Sequence, residues 1–567
     1  MLGPTSKIKL ERIKEELRKK EELEKKQNEL EENKEEEYDE WEDEDDDDDE
    51  DDYISDFIDK YKAKLTQSTN KIEDTIQDNF KNIAEDEKEI FGDEFISSKI
   101  LDFATTRPIE TISDFELKTK IEKRYYFEPD SRLIDDKALR EFCKTHPDIK
   151  YLNLANCDKI MDFSPISELK NLEQLDLNNC DYLYEMDFLS SCTKLKVLNV
   201  ADTDVKYIDA VANMPDLEIL NLSSNPVADI TPLCHCRKLK DLVLWGCLSL
   251  TDISSLRFCT TLRLLDIDSV PVSDLSCLKD LPVLDTLIMD NCNNIKDFSF
   301  LKDLYTLKVL ACDGTITITS EQLKYFSNLT NLVYLTLNNR KISNIDALRN
   351  LINIKELQLT SNLIVDLSPL SRMTEILKID LSNNSSLSDL SPLHTMKKIT
   401  NFKLNGTTAS VLAAKDFKKS VAANMIVEDF TVFENFKNLK SFYMSGNFKV
   451  KDLSPLVHCE KLEELVVTNC MQLENVDFIK YLTNIFLLDL SNNPRIKDLY
   501  GITYLTNLQQ FRYNGTAVPT AKMANIMKRC TGVWDLAGNV TNGIQKQYLT
   551  SAKKRCKMYS LRKKVKQ

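Results

Sequence analysis

Glycine is scarce in this chain, with only 11 residues in 567, far below the roughly 7% of average usage. Neither a GxGxxG nor a GxxxxGK[ST] run occurs, so phosphate-cradling loops of the common nucleotide folds are excluded. Histidine is scarcer still. His146, His235, His394 and His458 are the whole supply, and the last three fall in separate segments of the repeat described below. A Ser/His/Asp or Cys/His nucleophilic arrangement therefore has no members to build it, and a non-catalytic protein is expected. Carboxylate pairs carry no signal against 92 Asp and Glu and a net charge of -17.

Long apolar runs are missing as well, since no stretch approaches the ~18 residues that span a bilayer. The start, "MLGPTSKIKLERIKEELRKK", turns charged by residue 7 without an apolar segment, so no secretory signal is expected and an intracellular setting is. Fifteen cysteines, an odd number, are then expected to be mostly reduced thiols.

What the chain has in abundance is a repeat. The pattern LxxLxLxxN/C places its second strand leucine at Leu154, Leu177, Val200, Leu222, Leu244, Ile267, Met289, Cys312, Leu337, Leu359, Leu381, Leu404, Met444, Val467, Leu490 and Tyr513. The spacing of these sixteen units is 22 or 23 residues, except 25 before Leu337 and 40 before Met444. Each unit offers one short strand that cannot bury its apolar face alone, so the units must stack. Between strands run segments such as "DITPL" (229–233) and "DLSPL" (366–370, 389–393, 452–456). A proline there suits a convex turn with at most a short 3₁₀ or helical piece. At ~4.8 Å per strand, sixteen units give a parallel sheet roughly 75 Å long, lining the concave side of a solenoid.

The motif "LQLTSNLIVDLSPLSRM" (357–373) resembles the 22-residue leucine-rich repeats of bacterial internalins and of the eukaryotic regulatory subunit of protein phosphatase 1. The resemblance covers about residues 146–530. It implies an α/β repeat fold, a leucine-rich-repeat solenoid with parallel strands on the concave face.

Cysteine recurs in two columns. The closing column of the strand motif reads Cys157, Cys180, Thr203, Asn225, Cys247, Val270, Cys292, Thr315, Arg340, Asn362, Asn384, Thr407, Asn447, Cys470, Asn493 and Thr516. Asn, Thr and Cys interchange as compact groups able to bond to backbone, which predicts a hydrogen-bonding ladder. A line of thiols cannot surround a zinc ion, so no metal is expected. A second column, with Cys192, Cys236, Cys259 and Cys459 alternating with Leu and Met, reads as core.

Side chains alternating with the strand leucines face the concave side. There Trp245, Asp268, Asp290 and Asp313 occupy one column in four consecutive units, and Asp266 stands beside Val243 and Ile288 in the adjoining one. An exposed Trp among carboxylates predicts a docking site for a basic segment of a protein partner. Tyr334, Tyr443 and Arg512 are further exposed positions, and Gln174, Asp176 and Asn178 face the same way.

The flanks divide as follows. Residues 1–54 hold a charged helix with Glu and Lys four apart, a weak coiled-coil seam at Ile13, Leu17, Leu23 and Leu30, and an acidic run at 42–52 disordered by self-repulsion. Residues 55–145 read as a helical region with a cap, 146–530 as the solenoid with a helical insertion at about 408–435, and 531–567 as a cap remnant with a basic tail. That tail, 545–567, has nine Lys/Arg and no acid. The expectation is a monomeric, cofactor-free interaction scaffold that regulates an enzyme such as a phosphatase in trans; the alternative is an acidic chaperone of histones or other basic proteins. Neither membrane nor nucleic acid is an expected partner, and the location is cytoplasmic, or nuclear if the tail is an import signal.

Overall fold

The chain divides into two compact units, Met1–Lys120 and Ile121–Gln567. The computed structural model describes Tyr126–Phe127 and residues 134–315, 317–406 and 425–530, all within the second unit. The charged helix, the acidic run, the region 55–125, Thr407 and the basic tail lie outside the described residues.

Seventeen short strands form one sheet. β1 (Tyr126–Phe127) pairs in parallel with β2 (Tyr151–Asn153), and every later strand pairs in parallel with the one before it, ending with β17 (Gln510–Arg512). The leucines set this register, because Leu152, Leu175, Leu198, Leu220 and Leu242 stand opposite one another in turn. Each is buried in a single apolar cluster that runs from Ile134 to Ile526. A fully buried leucine is worth roughly 1.5–3 kcal/mol, so one unit cannot hold itself together and a stack can.

Opposite the sheet, each unit turns through five residues of 3₁₀ helix, such as Thr231–His235 and Ser368–Arg372. The aspartate that opens "DLSPL" explains why the turn forms there. Asp366 Oδ1 accepts from Ser368 N at 2.8 Å and Asp229 Oδ1 from Thr231 N at 2.8 Å, satisfying a backbone donor that the turn itself leaves free. The same bond recurs at Asp162, Asp252, Asp274, Asp297, Asp389, Asp429, Asp452 and Asp498, with Asn344 and Asn475 standing in for aspartate. Ten of the aspartates in this sequence are therefore structural.

Where each strand ends, the chain takes one residue in the left-handed region. Asn156, Asn179, Asp202, Ser224, Ser269, Asn291, Asn339, Ser361, Asn383, Asn469 and Asn492 all have φ between 51° and 63°, and Gly246, Gly446 and Gly515 fall in the same column. Small polar residues and glycine tolerate that conformation best.

Both ends of the stack are closed by helices. α1 (Asp136–Thr145) is capped by Asp135 and buries Leu139, Phe142 and Cys143 from one face, as "DDKALREFCKTH" suggests. Asp136 Oδ1 also accepts from Met161 N and Asp162 N at 2.7 and 2.9 Å, tying α1 to the first turn. A short α2 (Ser320–Leu323), opened by a Thr319 capping box, fills the longer unit before Leu337. At the far end α3 (Thr520–Met527) buries Met523 and Ile526, inside the boundary placed at 530.

The insertion expected at 408–435 is corrected in part. Residues 425–435 form a regular unit, with Met425 bridging to Asn447 and a 3₁₀ turn at Thr431–Asn435. Residues 407–424 lie outside the described residues. Their two anchors meet, since a Cβ on Gly406 would lie 3.3 Å from Met425 N. Met425, fully buried, thus fills the column position that counting gives to Thr407.

Candidate functional site

The closing column forms the expected ladder. Asn225 Nδ2 donates to Val200 O at 2.7 Å, Asn362 to Leu337 O at 2.8 Å and Asn493 to Val467 O at 2.7 Å, each reaching the preceding unit. Cysteine makes the same bond: Cys180 Sγ to Leu154 O at 3.2 Å, Cys247 to Leu222 O at 3.1 Å and Cys292 to Ile267 O at 2.9 Å. Burial pushes the Cys180 thiol up to about 12 and that of Cys247 to about 11, which keeps both protonated and able to donate. Cys157 and Cys180 are both thiols. The turn-side cysteines are core residues as expected, and they also donate, Cys192 Sγ to Ile166 O at 3.6 Å and Cys259 to Leu233 O at 3.4 Å.

Two members of the column depart from the count. Thr315 is exposed and bonds Asn293 Oδ1 at 3.3 Å. Arg340 covers that gap from the next unit: its Nε donates to Cys312 O at 2.7 Å and a terminal nitrogen to Asp313 O at 2.8 Å. It is one of the largest fully buried side chains. A Cβ on Gly314 would come within 2.9 Å of its guanidinium carbon, so this glycine makes room for the arginine.

The residues of the acidic column follow successive strands. Trp245, Asp268, Asp290 and Asp313 follow β6 (Asp241–Val243), β7 (Leu264–Asp266), β8 (Thr286–Ile288) and β9 (Val309–Ala311) on adjacent rungs. They are linked by Gly246 N to Asp268 O, Ser269 N to Asp290 O and Asn291 N to Asp313 O, at 2.8 to 3.0 Å. Val243, Asp266 and Ile288 stand opposite one another in register. Exposure differs from expectation. Trp245 is half-buried rather than exposed, and Val243, Ile288, Asp266 and Asp290 are buried.

Burial sets the electrostatics. It pushes Asp266 up to about 7, against the opposing hydrogen bond from Asp268 N. It does the same to Asp290, with the neighbouring Asp313 carboxylate adding to the effect. Asp268 also rises through burial, offset by hydrogen bonds from Ser269 and Asn291. Burial thus makes three carboxylates at the ends of two adjoining strands resist ionisation.

Tyr334, expected to be exposed, is only 1% exposed in β10 (Tyr334–Thr336), between Val309 and Glu356. Its hydroxyl accepts from Gln358 Nε2 at 3.4 Å. Tyr443 sits in β14 (Ser441–Ser445), several rungs from the acidic column. It donates its hydroxyl to Glu464, and Lys403 Nζ lies 5.5 Å from its ring centroid. It belongs to a separate polar network. Arg512 is exposed as expected, 3.6 Å from Asp489.

A second role escaped the pattern. Asp266 Oδ1 accepts from Asp268 N at 2.9 Å, and the same bond within a strand end is made by Asn153, Asp176, Asn199, Asn221, Asp380 and Asp489. Asp176 and Asn178 are joined this way, and Gln174 is buried beside them. The recurring Asn/Asp two places before the strand's last polar residue was the signal. Among the described residues, no group of three or more His, Cys, Asp and Glu could hold a metal ion, and no helix is long and apolar enough to cross a membrane.

Residues 193–235 match a family model described as leucine-rich repeats in two copies. No curated protein matches. Among solved structures, a leucine-rich-repeat protein of Leptospira interrogans shares 19% identity at a TM-score of 0.59, covering 72% of this chain and 100% of its own. An internalin of Listeria monocytogenes shares 21% at a TM-score of 0.40, covering 75% and 96%. The mouse RP105/MD-1 complex gives 17% at 0.46, covering 71% and 72%. With sixteen repeating units, their all-parallel sheet and the match to the repeat model, this chain is a leucine-rich-repeat protein.

Proposed function

We propose that the chain is a non-catalytic scaffold that takes a Lys/Arg-rich segment of a protein partner on the strand face at Trp245, Asp266, Asp268, Asp290 and Asp313. The observation that carries this reading is the placement of Asp268, Asp290 and Asp313 on adjacent rungs next to a half-buried indole, with Asp268 and Asp313 themselves half-buried. An approaching guanidinium or ammonium relieves the repulsion between Asp290 and Asp313 and stacks on the indole, so electrostatics and packing favour the same occupant. Regulation of an enzyme in trans, a phosphatase included, follows if that segment lies on the enzyme; chaperoning of histones follows if the segment is a histone tail.

Calorimetric titration of the full chain with a histone H4 tail peptide, as a basic probe, tests the face. Replacing Trp245 with Ala and Asp290 with Asn together should weaken binding about tenfold or more. Unchanged affinity would sink the reading.

A further inference from the structure

The capping rule fails at three of the fifteen described turns; one, Lys324–Asn328, runs straight on from α2 with its own capping box, and the other two are neighbours. Where ten turns have Asp and two have Asn, the chain has Glu185 and Tyr207, so the 3₁₀ turns that follow, Asp187–Ser191 and Asp209–Asn213, begin without either capping residue. The same flank carries a cluster of open aromatic and apolar surface. Tyr207 is 60% exposed, Tyr184 52% and Tyr182 39%, and Met161 of the preceding unit is 63% exposed. Local stability has been given up where large side chains face solvent, a departure expected of a functional surface rather than of a structural one.

Charge on this flank is mostly negative, with Lys159 and Lys206 the exposed cations among five acids. Asp158, Asp181, Glu185, Asp202 and Asp204 are exposed around the tyrosines, and none meets a cation among the described residues. Acids on the strand-entry edge of the same units are paired instead, as Glu173 is with Lys150 at 2.8 Å and with Lys196. The tyrosine faces already show what they accept, because Lys206 Nζ lies 5.2 Å from the Tyr207 ring centroid.

We infer that the flank bearing Met161, Tyr182, Tyr184 and Tyr207 docks the Lys/Arg-rich segment 545–567 of a second copy of this chain. The segment supplies nine cations and no acid, with Tyr548, Met558 and Tyr559 among them, which complements the flank in both charge and apolar character. Reach favours a second copy. From β17 back to the tyrosine units the sheet covers ~65 Å, and residues 531–552 would have to be almost fully extended, to roughly 75 Å, to bring their own basic run there. A second molecule meets no such limit. The expectation of a monomer gives way to concentration-dependent self-association.

Sedimentation of the full chain at low salt should show association that rises with concentration, falls with added salt and is competed by a synthetic peptide of residues 545–567. Tyr184→Ser with Tyr207→Ser, both at exposed positions, should weaken it about tenfold. Trp245→Ala with Asp290→Asn should leave it unchanged, which separates this surface from the strand face. Cross-linking a mixture of light and isotope-labelled chains should give mixed-mass links between the segment and the flank. A chain that stays monomeric, association indifferent to the tyrosine substitutions, or links confined to a single chain would each overturn the inference.

Discussion

A thiol and a carboxamide do the same work in the closing column, because both are compact donors aimed at the carbonyl of the unit before. Cys180→Ala removes the bond to Leu154 O and leaves a small void; chemical denaturation should show a loss of ~1–2 kcal/mol. Cys180→Asn should cost less, since Asn225 holds the same place without strain. The acidic column makes a second residue-scale prediction. The folded pKa of Asp290, about 7, is above its ordinary 3.8, so the folded state binds more protons between those values. Stability therefore falls as pH rises from about 4 to 7 and levels above 7. Asp290→Asn should flatten that slope in denaturation curves taken across the range, and binding of the basic probe to the native chain should tighten from pH 6 to pH 8. Placement of these acids was legible because alternation along a strand fixes the face. Their burial was not, because it depends on what surrounds each side chain rather than on its position in the motif. Tyr334 shows the same gap between facing a side and being exposed on it.

At the scale of the element, "DLSPL" was legible as a turn but not as a cap. In an acidic sequence an aspartate carries little information until its acceptor geometry is known. Hydrogen bonds from Thr231 hold Asp229 below the usual carboxylate range, and those from Ser368 do the same for Asp366. A depressed folded pKa contributes stability above the unfolded value and loses it as pH falls through the folded one, so repeated caps should make the array cooperatively acid-labile below about pH 4. Asp229→Ala should cost about 0.5–1 kcal/mol at neutral pH. The reverse substitution is the more telling one. Tyr207→Asp restores the missing cap and should raise the thermal midpoint while weakening self-association, an exchange of stability for function that calorimetry and sedimentation would register together.

For the molecule as a whole, a stack of units is held mainly by nearest neighbours, so its weakest joint sets where it parts. The unit before Leu337 is that joint: it is lengthened to 25 residues, opens its column at Thr315 and relies on Arg340 to close it. Arg340→Ala would take the side-chain donor from the Cys312 carbonyl, remove one of the two donors to the Asp313 carbonyl and open a void. The expected result is a loss of several kcal/mol and faster amide exchange on both sides of the joint, ahead of the rest of the array. Gly314→Ala, which crowds the guanidinium, should give a milder form of the same effect. Counting along the sequence put an arginine in a column of small residues but could not say that its length was needed to span a gap.

The meeting of Gly406 with Met425 has a consequence for how such a chain can change. Removing residues 407–424 would bring the interval from Leu404 to Met444 down from 40 to 22 residues, in phase with the units around it. The segment is a cassette bounded by whole periods of the repeat. Sequence of almost any length could enter or leave between those two residues without shifting a single leucine out of line, so the array can gain or lose an appendage while its scaffold stays as it was.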